Sequence, residues 1–151
     1  HTFHGRDLYA HVGALLASGR LKFEQVGQVA PEPHRTLEFT APTWAEGVLS
    51  GNVPALDPQY GNVWTNIPSD LAEKMRLTTG ELYRVQIFEE SHLIYSRVIP
   101  FHRTFADVPV GNDLIYLNSL LNLSFAVNQG NFAKLRNVKS GAGWTVKVSR
   151  P

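Results

Sequence analysis

The chain has no cysteine among its 151 residues. Disulfides and thiolate-ligated metal sites are thereby excluded, while either redox compartment remains compatible. It also lacks an excess of charge: 14 Lys and Arg against 13 Asp and Glu leave a formal charge of +1. No block of like charges is present that could track a phosphate backbone or lipid headgroups, so neither nucleic acid nor membrane is expected as a partner. No apolar run approaches the roughly 18 residues that a bilayer-spanning helix needs. The opening His1-Thr2-Phe3-His4-Gly5-Arg6-Asp7 has no signal-peptide pattern, and a cytoplasmic location is expected. Methionine occurs once, at Met75, and the first residue is His1, which leads us to expect a fragment, a processed product or one piece of a cleaved protein.

Motifs for several chemistries are missing too. Gly130, Gly141 and Gly143 are isolated and match no phosphate-cradling spacing. There is no Gly-x-Ser-x-Gly nucleophile elbow. His1, His11, His34, His92 and His102 form no pair at metal-ligand spacing with a carboxylate nearby, so no metal site is expected.

What is present begins with a helical pattern. After Asp7, a candidate N-cap, the apolar residues Leu8, Val12, Leu15 and Leu16 recur at helical spacing until Gly19, which suits a C-terminal cap. One amphipathic helix over about residues 7–18 is expected. Residues 20–42 carry Pro31, Pro33 and Pro42 with little periodicity and read as a connector, which sets a domain boundary near residue 35 and gives units 1–35 and 36–151.

Beyond that boundary the period changes to two. Leu82 to Phe88 and Trp144 to Val148 alternate as strands do, and Glu89 to His92 would turn the first of these into a hairpin with Leu93 to Ile99. Further strands are expected at Gly47 to Val53, Gly61 to Asn66, Leu114 to Asn118 and Leu123 to Val127, with helical turns at Asp70 to Lys74 and Asn131 to Leu135. Many short strands joined by turns imply a mainly β fold, a closed or nearly closed antiparallel barrel.

Three places could carry chemistry. His4 precedes a helix start, where the dipole disfavours the imidazolium, so a neutral ring could position a water; a capping or structural role is the alternative. The stretch Asp57-Pro58-Gln59-Tyr60-Gly61-Asn62-Val63-Trp64-Thr65-Asn66 mixes aromatics, amides and turn residues, as suits a flat heterocycle held by stacking and hydrogen bonds. From the residues alone, a turn into a strand with Tyr60 and Trp64 in the core is the favoured reading. Phe105, in Phe105-Ala106-Asp107, has the same two readings.

Taken together, several segments resemble one family. Thr2 to Asp7 is similar to its TFHGRD motif, and Asp57 to Ile67 to its D-x-x-(F/Y)-G-N-V-x-T-N-I segment. Ile115 to Ser119, followed by Ala126 to Gly130, is similar to its C-terminal signature. The family is that of the S-adenosylmethionine (SAM) hydroxide adenosyltransferases, or SAM hydrolases, and the fluorinases; the segments follow its order at similar separations over nearly the whole chain. The resemblance implies a C-terminal β-barrel preceded by one helix left from an α/β N-terminal domain whose remainder is not in this sequence.

It implies cleavage of SAM at ribose C5′ by water or hydroxide, giving adenosine and methionine, with SAM as substrate and no cofactor. By the same resemblance His4 is one of a His, Asp and Arg set acting on the water, the Asp and Arg lying in the N-terminal domain, so the fragment alone is expected to be inactive. Asp57 would take the methionine ammonium, Asn62 the adenine edge and Ser119 the methionine carboxylate, with Phe105 and Tyr60 or Trp64 flanking the purine. Val127 and Gln129 would offer backbone groups to the adenine. Family members form trimers with substrate held between subunits, which implies a homotrimer. Leu120 stands where halide-using relatives carry Arg, favouring the hydrolase branch. The alternatives are a fluoride or chloride adenosyltransferase of the same fold, a barrel module that binds adenosine or SAM without turnover, and a structural partner in an oligomer.

Overall fold

The computed structural model describes residues 3–29 and 39–151. The chain divides into two compact units, residues 1–36 and 37–151.

In the first unit, a π-helical turn at Gly5–Tyr9 runs into α1 (Ala10–Ala17), and a 3-10 turn follows at Phe23–Gln25. Asp7 does not cap this helix. It lies inside the helical segment, its N–H already donating to Phe3 O at 2.8 Å and its carboxylate paired with Arg6. Gly19 closes the helix as its position suggests: at φ +69° it donates to Leu16 O (3.1 Å), and Arg20 N–H reaches back to Leu15 O (3.0 Å). Those two bonds satisfy carbonyls that the last turn would leave unpaired. No residue of α1 is buried, and Leu8 is 50% exposed.

The second unit is mainly β and antiparallel. Its strands are β1 (Thr43–Ala45), β2 (Val48–Val53), β3 (Ala55–Leu56), β4 (Val63–Pro68), β5 (Leu82–Glu89), β6 (His92–Pro100), β7 (Asp113–Leu117), β8 (Asn122–Val127) and β9 (Gly141–Ser149). Two short helices, α2 (Ser69–Glu73) and α3 (Phe132–Arg136), are inserted. The expected hairpin forms between β5 and β6, with Glu90 at φ 55° in its tight turn.

The strands do not close into one ladder. Among the described residues they divide into a five-stranded sheet, β1-β2-β9-β5-β6, and a four-stranded sheet, β3-β4-β8-β7. One edge is joined by a single parallel bridge from Phe101 to Ile115. On the other side a side chain replaces a ladder: Asn66 on β4 accepts the N–H of Asn52 on β2 at 2.7 Å and donates to Thr40 O at 2.8 Å. The pairing register of β2 with β9 shifts at Asn52/Val53, interrupting the ladder beside that contact. Gly51 permits the approach, since a Cβ there would stand 2.6 Å from Ile67 Cγ1.

The core lies between the two sheets. Alternation selects one face of each strand: Tyr83, Val85 and Ile87 from β5 meet Trp144, Val146 and Val148 from β9, opposite Val63 and Ile67 of β4 and Leu123 and Phe125 of β8. Removing each such side chain from water is worth about 1.5–3 kcal/mol. At one end the core gives way to a polar cluster. Asp113 accepts from Tyr95 Oη (2.9 Å) and from Arg136 Nη2 (2.8 Å), with Arg97 Nη1 at 3.6 Å, and so ties β6, β7 and α3 together.

Candidate functional site

The outer face of the four-stranded sheet is not left bare. Leu114 and Tyr116 on β7 and Ala126 on β8 form a small apolar cluster with Val108 from the loop before β7. At the start of that loop, a 3-10 turn at Phe105–Asp107 sets the Phe105 ring edge-on to Tyr116, centroids 5.0 Å apart. Asp107 fixes the turn by accepting the N–H of Thr104 at 3.2 Å. Burial pushes the Tyr116 phenol above its ordinary pKa; Asp57 adds to the shift, while Trp64, Ser124 and Asn62, grouped near its hydroxyl, oppose it. Trp64 is half-buried, with its Nε1 buried beside that hydroxyl.

Beside this face the turn from β3 to β4 is organised by one carboxylate. Asp57 Oδ1 accepts the N–H groups of Gln59 (2.9 Å) and Tyr60 (3.3 Å), and Oδ2 accepts Asn62 Nδ2 (3.3 Å). A carboxylate offers about four acceptor positions, so roughly one is left for a ligand. Gly61 must be glycine: its φ is +69°, and a Cβ would fall 2.1 Å from the Asn131 side chain. Asn131 caps α3 by accepting the N–H of Lys134 at 2.7 Å, and Gly61 O accepts the N–H of Ala133 at 2.9 Å.

These segments enclose an open cleft of about 660 Å³ lined by Gln59, Tyr60, Asn62, Phe105 and the run Val127 to Asn131. Five of the residues nominated from the sequence thus meet at one place: Tyr60, Asn62, Phe105, Val127 and Gln129. Asp57 stands behind Asn62 and Trp64 on the adjoining face. Tyr60, 59% exposed, and Trp64 both lie outside the core cluster. Val127 belongs to the core cluster, and its carbonyl accepts the N–H of Gly130 at 3.1 Å. Gln129, at φ 55°, is the exposed tip of the turn after β8.

One nominee of the β unit stands elsewhere in it, and one belongs to the first unit. Ser119 is exposed in the turn joining β7 to β8, at the end of that hairpin opposite Val127. His4 belongs to the first unit, is exposed, and has a helical backbone (φ −55°, ψ −33°) with no capping bond from its side chain. Sequence reasoning missed Asn128, Asn131 and Tyr116. Asn131 opens an expected helical turn, the one signal that could have drawn attention to it.

Among the described residues the cleft lining holds no carboxylate and no imidazole. Its volume lies within the ~300–1,000 Å³ typical of ligand pockets, and its amides and aromatic ring suit a flat, hydrogen-bonding molecule. Among the described residues no group of His, Asp or Glu side chains could hold a metal ion, and no helix is long and apolar enough to cross a membrane.

Fold and cleft together define a two-sheet antiparallel domain with an open cleft beside the smaller sheet. Residues 51–145 match the family model of the SAM hydroxide adenosyltransferase C-terminal domain, and the chain belongs to that family. It is 33% identical over 153 residues to a fluorinase of Actinopolyspora mzabensis, covering 99% of this chain and 48% of the relative. It is 34% identical over 141 residues to an (R)-S-adenosyl-L-methionine hydrolase of Thermus thermophilus, covering 93% of this chain and 47% of the relative. A crystal structure of an uncharacterized conserved protein from Thermotoga maritima superposes with a TM-score of 0.69 at 32% identity, over 99% of this chain and 53% of that one. The chain spans about half the length of the curated relatives it matches.

Proposed function

We propose that this chain is the substrate-binding part of an enzyme that hydrolyses S-adenosyl-L-methionine to adenosine and L-methionine. The observation that carries the reading is the convergence of Asn62, Phe105, Val127 and Gln129 on one cleft, in a member of this family. Asn62, with its Nδ2 turned to Asp57, keeps its carbonyl oxygen for the adenine amino group. Phe105 and either Tyr60 or Trp64 flank the purine, and Val127 and Gln129 supply backbone groups. Asp57 takes the methionine ammonium through its remaining acceptor position, and Ser119 takes the carboxylate.

Water or hydroxide attacks ribose C5′ as the C5′–sulfur bond breaks, methionine leaves with the electron pair, and the water's proton is released. A sulfonium is already an excellent leaving group, so catalysis reduces to aligning and desolvating a small nucleophile. His4 positions that water, with an Asp and an Arg from the α/β domain that completes the family's architecture. In this reading residues 1–35 close that domain and 36–151 form the β domain. The working enzyme is a cytoplasmic homotrimer with substrate between subunits, and it needs no cofactor.

The matched fluorinases give a second reading, halide adenosyl transfer. Leu120, 71% exposed beside Ser119, favours water, because the halide-using branch carries Arg there. The test is to supply this chain with its N-terminal domain, add SAM with and without fluoride or chloride, and separate products by chromatography. Adenosine in all mixtures supports hydrolysis. A 5′-halo-5′-deoxyadenosine establishes the second reading, and SAM bound but intact would reduce the chain to a binding module.

A further inference from the structure

A second cavity, of about 560 Å³, opens in the β unit near the α2 and β6 ends, and none of its lining residues is shared with the first cleft. We propose that it binds a phosphate monoester carrying a short apolar group. Arg76, in the turn after α2, and Arg103, after β6, come from distant parts of the sequence to line one concavity. Both are exposed, and neither guanidinium has a hydrogen bond or ion pair among the described residues. Two unpaired guanidiniums present forked N–H donors that match the oxygens of a phosphate dianion. The hydroxyls of Ser69 and Thr79 add donors, and the one carboxylate in the lining is Glu73.

Surface arginines are ordinary by themselves; the floor between these two is not. Leu117 shares the inward face of β7 with Ile115, yet it is 37% exposed while every other residue of that strand is buried. The core face of the four-stranded sheet is therefore uncovered at this end, and Leu117 continues it into the cavity beside Phe101 and Leu77. His102 completes the wall with a buried Nδ1 that makes no hydrogen bond, 3.7 Å from Asp107 Oδ2. Cationic rim, hydroxyls and apolar floor together select an anion with a short hydrocarbon tail.

The test is an amide NMR titration of the 151-residue chain with butyl phosphate, inorganic phosphate and valerate. Saturable shifts are expected at Thr79, His102, Arg103 and Leu117, with butyl phosphate binding about tenfold more tightly than either other ligand. The double variant Arg76→Gln/Arg103→Gln, whose spectrum should stay dispersed because neither side chain has a partner, should weaken butyl phosphate about tenfold or more. Leu117→Asn should abolish the preference over inorganic phosphate. Absence of saturation, equal binding of valerate, an unchanged affinity in the double variant, or shifts confined to the cleft of Asn62 and Gln129 would each overturn the proposal.

Discussion

Replacing Gly61 by alanine tests how the cleft is framed. The left-handed backbone, φ +69°, costs a non-glycine residue about 1–2 kcal/mol. A second cost comes from space: the new Cβ would stand 2.1 Å from Asn131 Cγ and Oδ1 and 2.2 Å from Nδ2. Asn131 cannot swing aside freely, because its side chain caps α3, and losing that cap costs about 1 kcal/mol. Nor can the two segments part, since Gly61 O holds the N–H of Ala133. The expected loss is about 2–3 kcal/mol, which for a domain of this size lowers Tm by roughly 8–12 °C.

Gly80→Ala separates the two terms. Gly80 is also left-handed, at φ +87°, but nothing lies within 4 Å of an added Cβ, so only the backbone term of about 1–2 kcal/mol applies. Thermal unfolding of both variants should place Gly61→Ala below Gly80→Ala. Gly61→Ala with Asn131→Ala should cost less than the two single changes together, because the overlap disappears with the amide. Equal Tm losses for the two glycine variants, or full additivity in the double variant, would refute the close approach of turn and helix cap.

Asn62→Ala should weaken adenosine binding by about 0.5–3 kcal/mol in calorimetry, the worth of one buried amide hydrogen bond, and an unchanged Kd in a folded variant would remove Asn62 from the site. His4→Ala, in protein supplied with the N-terminal domain, should lower kcat more than it raises KM, because an imidazole that aligns water acts in the transition state; wild-type turnover with a raised KM would contradict the role. Tyr95, whose phenol burial and the neighbouring Asp113 hold well above its usual pKa of 10, keeps its proton in the fold and releases it on unfolding, so its contribution is complete below pH 10 and lost above. Between pH 9 and pH 11 urea unfolding should show wild type losing about 1.4 kcal/mol more than Tyr95→Phe, and parallel losses would show that this phenol titrates normally.

How much of this was legible in the sequence depends on where the information lies. The strands β5 and β9 announced themselves, because alternation over Leu82 to Phe88 and Trp144 to Val148 fixes both the period and the inward face. The strands Thr43–Ala45 and Ala55–Leu56 went unread; two or three residues are too few to show a period. Asp7 misled because residue type suggests a cap, whereas the helical turn had begun with Gly5. Separation into two sheets was invisible for a related reason. It rests on the Asn66 side chain and on a register shift at Asn52, and neither leaves a mark in hydrophobic pattern.

The cleft shows the same division. Asp57 to Asn62 stood out as a local unit, since a carboxylate two and three residues before free amides makes its own turn. The approach of Phe105 and of Val127 to Asn131 depends on pairings far apart along the chain. Tyr116 was hidden because Asp113, Leu114, Ile115 and Tyr116 are all buried, so the strand shows no alternation to say which residues face outward. The residue types that build the Asp57 turn are also the types that would hold a nucleoside, so composition alone leaves both readings open. Tyr60 is 59% exposed and Trp64 half-buried, and neither joins the core. A Tyr60 ring that served only the core would be buried, so its exposure favours the ligand reading that the Asn62→Ala titration puts to the test.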